Sequence, residues 1–353
     1  MESLVNFYRG KRVFITGATG FKGGWLVCLL QRLGALVSGY SLAAPSSPSL
    51  WELASLPEHV EHCHADILDR EVLKKAVFDF APDIIFHLAA QSLVRLSYDS
   101  PFETLNTNVM GTASVLEAAL NCDDVRAVLN VTSDKCYRNI GEPYPYKETD
   151  SMGGDDPYSA SKGCAELVTH AYRKSFFDGS GKGLASVRAG NVIGGGDFAA
   201  DRLIPDMVRA FSNGEPVAIR YPAATRPWQH VLDPLFGYLL LAQRIVEKPM
   251  EYDQGWNFGP LDQETHTVGE VVELFSSYWE GISVSLDKGK IPHEAAYLGL
   301  DCTKARNLLG WSPRLSFEES VFWTANWYRK WRQGSAGYDL CLEQVDKYLS
   351  ISV

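Results

Sequence analysis

The sequence RVFITGATGFKG, at residues 12–23, decides the fold of this 353-residue chain. Residues 12–16 have the composition of a short buried strand, and a helical apolar pattern follows the glycines directly. Closely spaced glycines in such a strand–turn–helix unit let the backbone approach a pyrophosphate at the helix N-terminus. The spacing is G-x-x-G-x-x-G rather than the commoner G-x-G-x-x-G. The stretch predicts a dinucleotide-binding unit, and an ordinary glycine-rich turn is the alternative.

Apolar strand-like runs recur along the first half of the chain. Further strands are predicted at residues 36–41, 60–65, 84–88, 127–131 and 184–188. Helical stretches separate them; one has apolar residues at 25, 26, 29, 30 and 33, and another runs from Pro101 to about residue 120. This alternation predicts an α/β protein with a Rossmann-type, doubly wound parallel sheet.

The alternation becomes irregular after about residue 191, where three consecutive glycines, 194–196, resemble a hinge. We predict that residues 1–190 form a cofactor-binding domain and that residues 191–353 mainly bind substrate. The helical stretch at about 231–258 is expected to return to the first domain. The second region is expected to lie at the carboxyl edge of the sheet, where open α/β sheets hold their ligands.

Composition limits the classes of partner. The formal net charge is −10 and no dense run of Lys and Arg occurs, which argues against nucleic acid. No uncharged apolar run approaches the roughly 18 residues of a membrane span. The seven cysteines are scattered without a C-x-x-C spacing, which argues against a disulfide framework or a zinc site. For the same reason we expect no metal. Because the chain does not start with a basic region leading into an apolar stretch, it is expected to be cytoplasmic.

A Tyr-x-x-x-Lys motif, Tyr158 to Lys162, follows the fifth predicted strand. Asp156 is placed to cap a helix and Pro157 to open it. Residues four apart share one helix face, so Lys162 is expected to lie beside Tyr158 and lower its pKa towards the working pH. Lys162 is also placed to hold the nicotinamide ribose. A surface pair is the alternative.

Polar residues gather where predicted strands end. Residues 131–137, VTSDKCY, close the fifth strand at the sheet edge that binds ligands. The second strand ends without the acid that usually grips the ribose of NAD, and no arginine follows to receive a 2′-phosphate. We choose NAD over NADP. Asp66, after the third strand, is predicted either to bond the adenine or to cap a turn.

Together these motifs resemble the extended short-chain dehydrogenase/reductase family over essentially the full chain. Within it the likeness is greatest to the bacterial CDP-glucose 4,6-dehydratases. The runs that carry the resemblance are residues 16–23 (TGATGFKG), 87–91 (HLAAQ), 132–137 (TSDKCY), 156–166 (DPYSASKGCAE), 187–197 (VRAGNVIGGGD), 226–231 (RPWQHV), 255–260 (GWNFGP) and 292–295 (PHEA).

The resemblance implies conversion of CDP-glucose into its 4-keto-6-deoxy product and water, with a hydride passing from C4 to C6 through NAD. Tyr158 would take the proton of the 4-hydroxyl, Ser133 would hydrogen-bond the 4-oxygen, and Asp134 would protonate the departing 6-hydroxyl. Lys135 stands where dTDP-glucose dehydratases carry the glutamate that is their C5 base. It is either a base itself or a charged group that stabilises the enolate; a neighbouring Asp134 favours the charged form.

The resemblance also implies two sets of contacts. The expected cofactor contacts are Gly17, Thr19, Gly20, Phe21, Lys22, Gly23, Asp66, Ile67, Leu88, Ala89, Ala90, Thr107, Tyr158 and Lys162. The expected substrate contacts are Gln91, Ser133, Asn191, Arg202, Arg226 and His293. Arg188 is either structural or a phosphate ligand, and Trp228 and Trp256 either stack on the substrate or pack in the core. Pairing through helices 101–120 and 157–176 implies at least a homodimer, and the product class implies deoxysugar synthesis for lipopolysaccharide O-antigen.

Two other functions compete with this hypothesis. A UDP-sugar 4-epimerase or a GDP-mannose dehydratase would use the same scaffold. An epimerase needs no acid and base aimed at C5 and C6, so the Asp134–Lys135 pair argues against it. A dinucleotide-binding regulator without catalysis usually lacks the tyrosine or the lysine, and both are present here.

Overall fold

The computed structural model describes residues 2–219, 221–260, 265–279, 284–286 and 297–351. A sheet of seven parallel strands lies at its centre, which confirms the predicted fold class. Six strands match the predicted runs: β1 Arg12–Thr16, β2 Leu36–Ser41, β3 Glu61–His64, β4 Ile84–His87, β5 Ala127–Val131 and β6 Gly183–Ala189. The seventh, Gly255–Phe258, pairs with β6 at one edge, and the order continues β5, β4, β1, β2, β3.

Two apolar layers cover the faces of this sheet, because successive side chains of a strand point to opposite sides. Val13 and Ile15 join one core cluster with the helices Phe21–Arg32 and Leu232–Glu247. Phe14, between them in sequence, joins the other cluster with the helices Arg70–Phe80 and Gly111–Leu120. The remaining α-helices are Glu2–Tyr8, Leu50–Leu53, Val94–Asp99, Pro101–Leu105, Pro157–Tyr172, Leu203–Asn213, Pro249–Tyr252, Val268–Ser277, Phe317–Arg332 and Gly337–Ser350.

The predicted helix from Pro101 to residue 120 is interrupted by a π-helical turn. It consists of Pro101–Leu105, the π-turn Asn106–Met110 and Gly111–Leu120. Such turns widen a helix locally and often occur near functional sites. Here the turn presents Asn108, whose amide donates to the side chain of Ser161 at 2.8 Å. The π-turn therefore ties this helix to the one that carries the Tyr-x-x-x-Lys motif.

The second half of the chain contributes to both the sheet and its edge. The predicted helical stretch at about 231–258 is helical only over Leu232–Glu247 and Pro249–Tyr252. The first of these helices packs against β5 and β6, and the end of the stretch, Gly255–Phe258, is instead a strand that joins the sheet. Short strand pairs, Val192–Ile193 with Gln229–His230 and Thr225–Arg226 with His266–Thr267, lie beyond the carboxyl edge. The division into two functional domains stays a prediction. Within the described ranges no helix is long and apolar enough to cross a membrane.

Candidate active site

The glycine turn packs so closely against neighbouring backbone that side chains at Gly17 and Gly23 would not fit. Gly17 has φ +77°, and a Cβ on it would lie 2.6 Å from the backbone nitrogen of Ala89. A Cβ on Gly23 would lie 2.2 Å from the carbonyl oxygen of Gly17. The helix that starts at Phe21 has no side-chain cap at Gly20, so its first amide groups face outward without a side-chain acceptor. These features fit an anionic group at the helix N-terminus.

The helix Pro157–Tyr172 begins as the sequence predicts. The Asp156 carboxylate accepts a hydrogen bond from the Ser159 amide, and Pro157 occupies the first turn. Tyr158 and Lys162 are both buried on the face turned towards β5. The Lys162 ammonium donates to the Val131 carbonyl at 3.4 Å, so it lies at the carboxyl end of that strand.

The loop after β5 brings two more predicted groups to the same place. Ser133 donates to Asp134 Oδ1 at 2.9 Å and accepts a bond from the Lys135 amide at 3.2 Å. Ser133 also lies close enough to Tyr158 to lower the pKa of its phenol, against the effect of burial. Asp134 is 4% exposed, and its Oδ2 has no hydrogen-bond partner within the described residues. A buried carboxyl oxygen without a partner is costly, so its presence points to a group that reacts with a ligand.

Burial moves the pKa values of this cluster towards the neutral forms. It raises the pKa of Asp134, against the pull of Lys135 and the hydrogen bond from Ser133. It lowers the pKa of Lys162 to about 8. Burial, together with the charge of Arg202, also lowers the pKa of Lys22 to about 8. Buried groups whose pKa values are shifted by their surroundings mark candidate catalytic sites.

One expectation is wrong for the protein without its cofactor. The sequence predicted that Lys162 lowers the pKa of Tyr158, but burial raises that pKa to about 12. Ser133 and Arg202 oppose this rise, whereas Asp134 adds to it. The lysine shares the helix face with the tyrosine, yet its recorded hydrogen bond goes to the backbone of Val131. Desolvation of the phenolate therefore outweighs the cations in this cluster.

The predicted arginines border the same cluster. Arg202 bonds Asp197 at 2.9 Å and Ser92 at 3.1 Å, and its charge acts on Tyr158. Arg226 is 5% exposed and its charge acts on Asp134. Asn191, after β6, accepts a backbone bond from Gln229 through its carbonyl. Guanidinium groups next to the cluster of Ser133, Asp134, Tyr158 and Lys162 suit a diphosphate, because each can donate two parallel hydrogen bonds to its oxygens.

Several other predicted contacts have structural partners. The Gln91 amide bonds Leu93 and Thr104 and so shapes its own loop. Asp66 accepts from the Leu68 amide at 2.9 Å, the turn-capping alternative. Thr19 bonds Ser41 and Leu42 at the end of β2. Their ligand roles stay predictions, as do those of the other predicted cofactor contacts. Ile67 lies in the core beside Gly111, and Thr107 lies in the π-turn. Leu88, Ala89 and Ala90 follow β4.

His293 lies outside the described residues. Trp256 is fully buried and donates to the Tyr252 carbonyl, while Trp228 is 5% exposed and donates to the His266 carbonyl. Both tryptophans therefore pack in the core, which was the other alternative for each. All seven cysteines are free thiols, five of them buried.

Sequence reasoning missed a buried ion pair beneath the site. Arg188 bonds Glu166 through two nitrogens, at 2.8 and 2.7 Å, which settles Arg188 as a structural residue. Glu166 follows Lys162 by four residues and so shares the face of Tyr158. That spacing was the available signal, but nothing in the sequence identified the arginine 22 residues further on as its partner.

The chain is similar to known proteins over most of its length. Residues 14–322 match the protein family described as "GDP-mannose 4,6 dehydratase". The chain is 49% identical over 351 residues to the CDP-glucose 4,6-dehydratase of Salmonella typhimurium, covering 98% of each protein. An epimerase structure from Methanothermobacter thermautotrophicus is similar with a TM-score of 0.80 and 26% identity, over 94% of this chain and 96% of that one. A dTDP-glucose 4,6-dehydratase of Bacillus anthracis, solved in complex with NAD, shares the fold with a TM-score of 0.74 and 22% identity, over 91% and 97%.

Proposed function

The chain belongs to the GDP-mannose 4,6 dehydratase family, and from that premise we propose that it is an NAD-dependent CDP-glucose 4,6-dehydratase. It converts CDP-glucose into CDP-4-keto-6-deoxyglucose and water. One observation of the site carries the dehydratase chemistry. A buried Asp134 carboxyl, with a raised pKa and one oxygen without a partner, lies in the same cluster as Tyr158 and next to Lys135. The choice of CDP-glucose rests on 49% identity over nearly the full length of the Salmonella enzyme.

The residues of the glycine turn fit NAD. The turn 17–23 would hold its pyrophosphate, and Lys162 would hold the ribose next to the nicotinamide. Ser41, which bonds the Thr19 amide, stands at the end of β2 where an acid usually contacts the adenosine ribose. When bound, NAD accepts a hydride from C4 of the sugar and later supplies it to C6.

Tyr158 is the base for the first half of the reaction. It removes the proton of the 4-hydroxyl, and Ser133 hydrogen-bonds the same oxygen as it becomes a carbonyl. Both side chains are about 8% exposed, so little water competes for these bonds. A phenol with a pKa near 12 is a poor base at neutral pH. The positive charge of bound NAD would oppose that shift by favouring the phenolate.

Asp134 and Lys135 serve the second half. The new 4-ketone makes the C5 proton acidic, and removing it drives the 6-hydroxyl out as water. A protonated Asp134, favoured by burial, gives its proton to that leaving hydroxyl. Lys135 is half-buried next to it and either removes the C5 proton or stabilises the enolate by its charge. After the hydride returns to C6, C5 takes a proton from solvent. Asp134 regains its proton from solvent, while Tyr158 and the C5 base release to solvent the protons that they removed from the sugar.

The substrate's diphosphate would bind between Arg202 and Arg226, with Asn191 nearby. Gln91 and His293 are proposed as further substrate contacts. In this arrangement the cofactor is bound by residues 1–190 together with the returning stretch at about 231–258. The nucleotide sugar is bound mostly by residues 191–353. Arg202 lies close enough to influence the pKa of Tyr158, which supports a diphosphate bound next to the cluster of Ser133, Asp134 and Tyr158.

One assay tests the proposed function. The protein is incubated with NAD and, separately, with CDP-glucose, dTDP-glucose, UDP-glucose and GDP-mannose. We expect loss of one water and a 4-keto-6-deoxy product from CDP-glucose. An epimerised sugar without loss of water would instead support an epimerase. NAD binding with no turnover of any of these sugars would support a regulator.

Pairing of two copies is the second part of the proposal. The helices at 101–120 and 157–176 expose large apolar side chains in the single chain: Phe102 (73%), Leu167 (60%), Met110 (56%) and Phe176 (53%). Exposed apolar groups gathered on neighbouring helices are typical of an interface. We expect a homodimer or larger assembly, measured by light scattering, and Leu167→Glu to weaken it. A wild-type monomer at working concentration would contradict this.

The enzyme is proposed to act in the cytoplasm, supplying deoxysugar synthesis for lipopolysaccharide O-antigen.

A further inference from the structure

The loop that carries Ser133, Asp134 and Lys135 is fixed at both of its ends by one buried network. At the start, the Thr132 hydroxyl donates to Glu166 Oε1 at 2.5 Å. At the end, the Tyr137 hydroxyl accepts a bond from Arg188 Nη1 at 2.6 Å and donates to Asn257 at 2.7 Å. The Tyr137 ring also stacks on Tyr146, with 5.2 Å between centroids.

The two attachments are joined to each other by the Glu166–Arg188 ion pair. Its side chains are only 4% and 5% exposed. Ser186 donates to the second carboxylate oxygen at 2.6 Å, so both oxygens of Glu166 are bonded. Gly255 leaves the space for the guanidinium, since a Cβ there would lie 2.5 Å from Arg188 Nη2.

This pair remains charged despite its burial. Burial alone would raise the pKa of Glu166, but Arg188 and the hydroxyl donors outweigh it and hold the pKa below its ordinary value. A bidentate pair with every oxygen bonded is geometrically stiff, because its two parallel bonds fix distance and orientation together.

Glu166 also connects the loop to the helix of the reacting tyrosine. Tyr158, Lys162 and Glu166 are spaced at i, i+4 and i+8, so all three lie on one face of the helix Pro157–Tyr172. The first two reach the reacting cluster and the third reaches the ion pair. Glu166 therefore links the helix of Tyr158 to the start of the 133–135 loop, through its hydrogen bond with Thr132.

We propose that the Glu166–Arg188 pair is a positioning device that places Asp134 and Lys135 for the elimination step, with Thr132 and Tyr137 as its two attachments to their loop. The inference rests on the proposed dehydratase function. All four act through the loop, so they are positioning residues. The base of the C4 oxidation, Tyr158, is carried by a helix, and only Ser133 comes to that step from the loop. Both groups of the elimination, Asp134 and Lys135, are on the loop, so loosening an attachment slows elimination more than oxidation.

Two variants loosen the attachments without stranding a buried charge. Tyr137→Phe removes the hydroxyl between Arg188 and Asn257, and Thr132→Val removes the hydroxyl on Glu166. Thr132→Ser restores that hydroxyl and serves as the rescue. Tyr8→Phe is the matched control, because the Tyr8 hydroxyl is equally buried and donates to the Leu239 carbonyl far from the site.

Steady-state and single-turnover measurements with CDP-glucose and NAD test the positioning role of the Glu166–Arg188 pair. Misplacing a reacting group by about 1 Å typically costs about 100-fold in rate. We expect kcat to fall by about 10- to 100-fold in Tyr137→Phe and Thr132→Val, with KM changed by less than about 3-fold. Reduced cofactor should accumulate in the single turnover of both variants, because C4 is oxidised faster than water leaves. Thr132→Ser should recover most of the rate, and Tyr8→Phe should not accumulate reduced cofactor.

The contrary result is equally clear. If oxidation and elimination slow together, or if Tyr137→Phe and Thr132→Val behave as Tyr8→Phe does, the positioning role is wrong. Should Tyr137→Phe fail to fold by circular dichroism, the Thr132→Val and Thr132→Ser pair decides alone. A wild-type protein that does not dehydrate CDP-glucose would overturn the proposed function itself. A fully active wild type with unaltered variants would overturn only the positioning role.

Discussion

Two clusters of charged groups contact the loop after β5, and they differ in how their charges are matched. In the clamp cluster, formed by Glu166, Arg188 and the hydroxyls that bond them, both carboxylate oxygens have donors. In the reacting cluster, formed by Asp134, Tyr158, Lys162 and Lys22, one oxygen of Asp134 has no partner in the described ranges. Both clusters are buried to a similar degree, so burial alone does not decide their behaviour.

The two clusters differ in whether burial or neighbouring groups determine the pKa shifts. The pKa of Glu166 in the clamp is lowered, since the arginine and hydroxyls outweigh burial. In the reacting cluster burial prevails: it raises the pKa of Asp134 and lowers that of Lys162 to about 8. A matched pair keeps its charge and fixes geometry, whereas unmatched groups are poised to exchange protons. This difference distinguishes buried charges that fix geometry from those that we propose carry out the chemistry.

Removing the phenol from the reacting cluster should have the largest effect. We expect Tyr158→Phe to fold and bind NAD nearly normally while turnover falls by about two to four orders of magnitude, the usual contribution of a general base. Turnover of CDP-glucose with matched thermal unfolding curves measures both properties. Turnover above about a tenth of wild type would remove Tyr158 from this role.

Breaking the clamp should instead cost stability. Glu166→Ala leaves the Arg188 guanidinium buried without its carboxylate, which typically costs about 3–5 kcal/mol. Urea unfolding measures the change, and Glu318→Ala, an exposed first-turn glutamate of the helix Phe317–Arg332, is the control. A loss of free energy of unfolding no larger than the control's would show that the pair does not hold the fold.

The sequence was sufficient for the fold and for the helix of the reacting tyrosine. Alternating apolar strands and helices specify six of the seven central strands, because local patterns determine them. Asp156 and Pro157 specify the start of the helix, and the i, i+4 spacing specifies the shared face of Tyr158 and Lys162. These features depend on neighbours in sequence, which a single chain displays directly.

Features that depend on distant contacts were not predictable. The strand Gly255–Phe258 has glycine and asparagine in place of strand-favouring residues, and Asn257 is used by Tyr137, 120 residues away. The partner of Arg188 is likewise set by the sheet order and not by spacing. The pKa of Tyr158 was misjudged because helical register shows the nearby lysine but not the extent of burial.

The preference for one nucleotide base tests which sugar nucleotide is the substrate. A wrong base leaves a buried polar group unpaired at a cost of about 1–3 kcal/mol, or about 5- to 150-fold in kcat/KM per lost partner. We therefore expect CDP-glucose to exceed dTDP-glucose and UDP-glucose by at least this factor, in competition assays with equal concentrations. Equal efficiency with dTDP-glucose would refute the CDP assignment and leave the dehydratase chemistry in place.

The smallest expected effect is a shift of one pKa. Without cofactor, burial holds the pKa of Tyr158 at about 12, so the phenol stays protonated well above neutral pH. Adding NAD should lower that pKa by at least about one unit, because its positive nicotinamide favours the phenolate. The difference in phenolate absorbance between wild type and Tyr158→Phe, titrated with and without NAD, measures it. A phenolate that forms below about pH 10 without cofactor would contradict the dominance of burial.

The central claim is that the reacting cluster carries a hydride from C4 to C6 of one sugar, with Asp134 and Lys135 removing water in between. Its most direct test is a single turnover of NAD-loaded enzyme with CDP-glucose deuterated at C4. We expect product with deuterium at C6 and a C5 hydrogen taken from solvent, measured by NMR. In Lys135→Met, C4 oxidation should still occur and reduced cofactor should accumulate. C4 deuterium released to solvent, with none at C6, would contradict the account.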